Sequence, residues 1–113
     1  MAGITTHVLD TARGKPASGV PVMLEVAEGT SWTLVGKGAT DADGRNRELT
    51  KEFAMRAATF RITFDTGAYF AAIGVTDHFY PKASIEFSVR DPGQHFHVPL
   101  LISPFGFSTY RGS

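Results

Sequence analysis

Short segments that alternate apolar and polar residues, each closed by a turn signal, constrain this chain more than any other feature. Val20, Val22, Leu24 and Val26 alternate with Pro21, Met23 and Glu25. Phe60, Ile62 and Phe64 alternate with Arg61 and Thr63, and Ile85, Phe87 and Val89 with Ser84, Glu86 and Ser88. A period of two puts each apolar set on one face of an extended strand. Residues 4–11, 31–38 (with Trp32 and Leu34) and 94–102 read as further strands. Glu28-Gly29, Asp41-Ala42-Asp43-Gly44 and Asp91-Pro92-Gly93 mark turns, and residues 12–19 read as a loop by their Gly, Pro and Ser. The span 46–58 mixes periods and is expected to be a short strand plus loop. Residues 66–74 form the only plausible helix, capped by Thr66 and ended by Gly74. At about two turns it must pack on a sheet to persist. Residues 78–81 read as a loop that leaves His78 in solvent. Seven or eight short strands at intervals of roughly 10–15 residues predict an all-β fold, a two-sheet β-sandwich with one short helix. A chain of 113 residues makes this a single domain, 1–113.

Composition narrows the partners. Lys and Arg number 11 and Asp and Glu 11, which argues against nucleic acid, because a phosphate backbone demands a basic face. Weak self-repulsion leaves room for oligomers. With no Cys, disulfides, thiolate zinc sites and Cys nucleophiles are excluded. No apolar run reaches the ~20 residues of a membrane span. The opening Met1-Ala2-Gly3-Ile4-Thr5-Thr6 lacks a basic-then-apolar leader pattern, and the final Arg-Gly-Ser is not a Ser-Lys-Leu address. The expectation is a cytoplasmic protein with no membrane contact. No nucleophile elbow, calcium loop or phosphate-binding glycine loop is present in the sequence.

The strand over 94–102 separates two faces. Phe96, Val98, Leu100 and Ile102 point one way, and four large apolar side chains make that face the core. His95, His97, Pro99 and Leu101 point the other way. An outer face carrying Pro and Leu is unusually apolar for contact with water, and reads as covered by another subunit. The same parity groups Thr5, His7 and Leu9 on the first strand, and sets Ser108 beside Tyr110 on the last. Ser103-Pro104 breaks the strand and Gly106 reverses it, so that 107–113 is expected to return as a strand running to the terminus. An end carrying Tyr110, Arg111 and Ser113 directly after a tight hairpin is expected to be tied down and used.

Four blocks along the chain resemble one family. They are Thr6-His7-Val8-Leu9-Asp10-Thr11, Thr40-Asp41-Ala42-Asp43-Gly44-Arg45, His95-Phe96-His97-Val98-Pro99-Leu100-Leu101 and the terminal Tyr110-Arg111-Gly112-Ser113. In this order over one small domain they resemble the 5-hydroxyisourate hydrolases, also called transthyretin-related proteins. The resemblance implies a transthyretin-like sandwich and a homotetramer, a dimer of dimers, whose outer sheet faces enclose a central channel. The positions matching that channel are His7, Leu9, His97, Pro99, Leu101, Ser108 and Tyr110, with Arg45 after its turn. Carried over, the catalytic residues are His7, Arg45, His97 and Ser113, while Tyr110, Arg111, Leu9, Pro99, Leu101 and Ser108 bind substrate. The implied activity opens the six-membered ring of 5-hydroxyisourate, a small-molecule substrate, with no cofactor and no metal.

Each residue also has an ordinary reading by its type. His7 and His97 suit an interface, Arg45 a solvated turn, Tyr110 packing, and Arg111 and Ser113 a frayed end. His95 matches no catalytic position and is expected to be structural. Two rival functions remain. One is a zinc hydrolase built on His95, His97 and His7, three imidazoles with an open fourth position. The other is a carrier without catalysis, which requires an apolar pocket where this chain would offer His7, Arg45 and His97.

Overall fold

A computed structural model describes residues 2–113. Met1, part of the segment read for a leader, lies outside the described residues. The strands are β1 (Gly3–Asp10), β2 (Lys15–Pro16), β3 (Pro21–Glu28), β4 (Ser31–Ala39), β5 (Arg45–Asn46), β6 (Ala58–Phe64), β7 (Ala83–Val89), β8 (His95–Ser103) and β9 (Gly106–Thr109), with the helix α1 (Thr66–Ala72) between β6 and β7. Two of them, β2 and β5, are two residues long, so the expected seven or eight strands are seven of full length plus two short pairings onto β1. Two sheets stack. One runs β2-β1-β8-β9, with β5 also on β1, and the other runs β4-β3-β6-β7.

The alternation read from the sequence is the pattern of burial. Ile4 and Val8 of β1 and Leu100 and Ile102 of β8 are buried with Leu24 and Val26 of β3 and Phe60, Ile62 and Phe64 of β6. Removing that many branched and aromatic side chains from water drives the two sheets together. The strands β1 and β8 pair in parallel, from Gly3 opposite His95 to Asp10 opposite Ile102. This single pairing joins the two ends of the chain.

Three local expectations are corrected. The helix is capped by Asp65, whose carboxylate accepts from the Ala68 N–H at 3.0 Å, not by Thr66. Thr66 is buried, and its hydroxyl donates to the Tyr80 carbonyl. Gly74 does end the helix region with φ at +80°, a left-handed conformation open to glycine. His78 is not left in solvent. The chain after α1 folds back, with the Gly67 N–H donating to the Pro81 carbonyl at 2.9 Å. This stacks the His78 ring on Phe70 at 5.3 Å between centroids. The terminal strand stops at Thr109 rather than running to Ser113. Pro99 turns its carbonyl toward β9 but has no N–H to continue the ladder. The Thr109 hydroxyl takes that carbonyl instead, at 2.7 Å.

Candidate active site

The outer face of the β1–β8 sheet is laid out in rows by its register. In one row Arg45, His7 and Pro99 are neighbours, because His7 is the partner of Arg45 on β5 and of Pro99 on β8. In the next row Thr5 is the partner of His97, and Gly112 bridges to His97 from the other side. A third row holds Pro16, Leu9, Leu101 and Ser108. The parity expected for His7, Leu9, His97, Pro99, Leu101 and Ser108 is the parity these rows require.

Arg45 reaches this face through its turn. The Asp41 carboxylate accepts from the Asp43 N–H at 2.9 Å and from the Arg45 N–H at 3.0 Å. Those donors hold its pKa below the usual carboxylate value, the Arg45 amide being the largest cause. Gly44 sits at φ +77°, and its carbonyl accepts from the Val8 N–H at 2.7 Å. A Cβ at Gly44 would lie 2.4 Å from the Val8 carbonyl oxygen. The turn therefore clips directly onto β1, and the next residue, Arg45, falls beside His7.

A cavity of about 630 Å³ opens on this face. Arg45, His97 and Ser113 line it, together with Thr5, His95, Arg47, Glu48, Thr50 and Lys51. Three of the expected catalytic residues are thus brought together, and His7 stands in the row beside them. The other six named were not expected as site residues. Thr5 has the right parity, which was the available signal. His95 was read as structural. Arg47 and Lys51 lie in the stretch after β5 that carries no period.

The two imidazoles are linked through one hydroxyl. Thr5 Oγ1 is 2.8 Å from His97 Nδ1 and 2.9 Å from His95 Nε2, and the rings lie nearly parallel with centroids 6.3 Å apart. Burial pushes the His97 pKa below its ordinary 6.5, and the nearby charges of Arg45, His95, His7 and Arg47 push in the same direction. Both effects favour the neutral imidazole of His97. Among the described residues no three His, Cys, Asp or Glu side chains are grouped closely enough to hold a metal ion. The imidazole triad of the zinc reading is not assembled within the protomer, where His95 and His97 both turn a nitrogen to Thr5.

The tail is held where the site needs it. The Gly112 N–H donates to the His97 carbonyl at 2.8 Å, which carries Ser113 to the cavity. Pro99 is buried within the single protomer. Gly112 packs over it, and a Cβ there would be 3.1 Å from the Pro99 ring. Part of the apolar outer face is therefore covered by the chain's own tail. Tyr110 and Arg111 do not line this cavity. They border a second hollow of about 230 Å³ with Phe87 and Thr109, which His97 also lines. The Arg111 guanidinium lies 4.7 Å above the Phe96 ring and donates to the Gln94 side-chain oxygen at 3.1 Å. Tyr110 is 60% exposed. Leu9 and Leu101 are half-buried and Ser108 is exposed along the outer face.

Among the described residues, two stacked sheets, a single short helix between β6 and β7 and a parallel β1–β8 pair define a transthyretin-like sandwich with a basic, imidazole-bearing cavity on one sheet. Comparison with known proteins agrees. A profile described as the HIUase/Transthyretin family matches residues 4–112. The chain is similar to the 5-hydroxyisourate hydrolase of Salmonella dublin, 44% identical over 110 residues, covering 97% of this chain and 80% of that protein. Its fold superposes on the 5-hydroxyisourate hydrolase of Klebsiella pneumoniae with a TM-score of 0.85 at 39% identity, covering 100% of both chains. It superposes on transthyretin from Sparus aurata with a TM-score of 0.91 at 31% identity, covering 99% of this chain and 97% of that one. The chain belongs to the HIUase/transthyretin family.

Proposed function

We propose that this chain is a 5-hydroxyisourate hydrolase. It opens the six-membered ring by hydrolysis to give 2-oxo-4-hydroxy-4-carboxy-5-ureidoimidazoline, a step of urate breakdown. The observation that carries the reading is the convergence of His97, Arg45 and Ser113 on one cavity, beside His7 in the adjoining row. Identity over the superposed structures supports it too, at 39% to a hydrolase against 31% to a transthyretin.

Water attacks a ring carbonyl, the carbon–nitrogen bond breaks, and the released nitrogen takes a proton. A base, an oxyanion partner and a proton donor are required. His97, neutral through burial and its cationic neighbours, takes the proton from water. Arg45, with Arg47 and Lys51 at the cavity wall, offsets the negative charge that grows on the carbonyl oxygen. His7 or His97 returns a proton to the leaving nitrogen, and Ser113 holds the substrate or the water. Tyr110, Arg111, Leu9, Leu101 and Ser108 complete the binding surface in a homotetramer, where a second protomer faces this sheet, and Pro99 supports it from beneath the tail. The exposed Phe105, Phe107 and Tyr110 are consistent with faces that other copies cover.

The closer superposition on transthyretin, 0.91 against 0.85, favours the second reading, a carrier. The charged lining of the cavity opposes it. A rate assay on freshly generated 5-hydroxyisourate separates the two. His7→Ala, His97→Ala and Arg45→Ala should each cost at least ~100-fold in turnover with the fold intact. Near-wild-type rates in all three variants, or no hydrolysis by the wild type, would end the hydrolase reading. The tetramer is tested by light scattering.

A further inference from the structure

We propose that Thr5 is a positioning residue that, with His95, forms a proton relay behind His97. Its kinetic consequences rest on the hydrolase reading; its geometric core does not. Thr5 and His97 are register partners on β1 and β8. Thr5 Oγ1 meets His97 Nδ1 at 2.8 Å and His95 Nε2 at 2.9 Å.

A hydroxyl carries one proton and two lone pairs, so it donates to one ring nitrogen only. Its bonding is complete when it accepts from one imidazole and donates to the other. Because the two rings meet the hydroxyl through different nitrogens, two neutral rings joined in this way hold the same tautomer. With His97 Nδ1–H donating to Thr5, the hydroxyl proton goes to His95 Nε2, and His97 Nε2 keeps its lone pair. That nitrogen makes no hydrogen bond among the described residues, which leaves it for water.

The relay balances. When His97 Nε2 takes a proton from water, the Nδ1 proton of His97 passes to Thr5 Oγ1. The Thr5 proton passes to His95 Nε2, and the positive charge moves from His97 to His95. His97 is then neutral, with a proton on Nε2 to give to a leaving nitrogen. The shift also moves charge away from the ring on which the Arg45 field bears. Arg45, Arg47, His7 and His95 act on His97, and Lys51, Glu48 and Ser113 line the same cavity.

The test uses the full chain, labelled with ¹⁵N-histidine, and the variants Thr5→Val, Thr5→Ser and His95→Phe. Nitrogen shifts of the wild type should report the same tautomer, with the proton on Nδ1, for both His95 and His97. Thr5→Val should abolish that bias in both rings, and Thr5→Ser should keep it. In turnover, Thr5→Val and His95→Phe should each lower kcat by about 10–100-fold, with KM changed less than about threefold. The double variant should be no worse than either single one, and Thr5→Ser should recover most of the rate. Unchanged tautomers in Thr5→Val would overturn the proposal. So would additive losses in the double variant, or a Thr5→Ser as slow as Thr5→Val. If Thr5→Val fails to fold, the shifts of His97 in His95→Phe and Thr5→Ser decide the coupling. A wild type inert toward 5-hydroxyisourate removes the functional reading, while the tautomer measurement still decides whether the two rings are coupled.

Discussion

Gly112 lies so close to His97 that no other residue fits. Its N–H donates to the His97 carbonyl at 2.8 Å, and a Cβ would fall 2.7 Å from His97 Cδ2 and 3.1 Å from the Pro99 ring. Both neighbours are ring atoms on a paired strand, with little freedom to give way. Gly112→Ala should therefore displace the tail or tilt the His97 ring. Turnover should fall at least ~10-fold, while the stability change stays within about 1 kcal/mol, because the contact lies outside the core. Steady-state rates and thermal melts of the variant check both halves.

The pH response follows from His97. Its folded pKa is below the ordinary 6.5 because of burial first and the Arg45 charge next. The unfolded chain binds the proton more readily, so this group's contribution to stability is complete above pH 6.5. It is lost as pH falls through that value toward the lower folded pKa. The active form, neutral His97, should persist below pH 6.5. The acid limb of kcat/KM for wild type is therefore expected below 6.5, and Arg45→Ala should move it upward. A pH series of rates, paired with urea unfolding at pH 7.5 and pH 5, measures both effects.

Gly44 meets two demands at once. Its φ of +77° is left-handed, and a Cβ would lie 2.4 Å from the Val8 carbonyl oxygen. Gly44→Ala should cost about 2 kcal/mol or more and shift Arg45 relative to His7. Chemical denaturation reads the first effect. A loss of turnover in the folded fraction reads the second.

Tyr69 anchors the helix to the first strand. Its hydroxyl donates to the Asp10 carboxylate at 2.7 Å, and Asp10 is 1% exposed. Burial and the Asp10 bond raise the Tyr69 pKa, so the donor keeps its proton across the working range. Tyr69→Phe removes that donor and leaves one Asp10 oxygen without it. The expected cost is about 1–3 kcal/mol, measured by unfolding, with turnover of the folded protein nearly unchanged.

Much of the fold was legible because burial in a sandwich follows a local period. Val22, Leu24, Val26, Phe60, Ile62 and Phe64 alternate in sequence and are buried in the structure. Parity alone also placed His7 and His97 on the outer face. The stretch after β5 was not legible. It has no period, and Arg47 and Lys51 reach the cavity wall from a loop whose path is set by contacts such as the Ile4 N–H donating to Thr50 Oγ1 at 3.3 Å. The end of β9 was misread because the missing donor of Pro99 acts on a neighbouring strand, not on its own.

Which residues are extended, and which way each side chain turns, is written in neighbours one or two positions away, since strand geometry repeats over that distance. Which residue stands beside which is another matter. Thr5 and His97 are 92 positions apart and meet through a parallel pairing that no tight turn sets in register. A slip of one residue would turn one strand's whole set of side chains to the other face. The burial of Ile4 and Val8 against the second sheet excludes that slip, and so the packed core decides that one hydroxyl bridges two imidazoles.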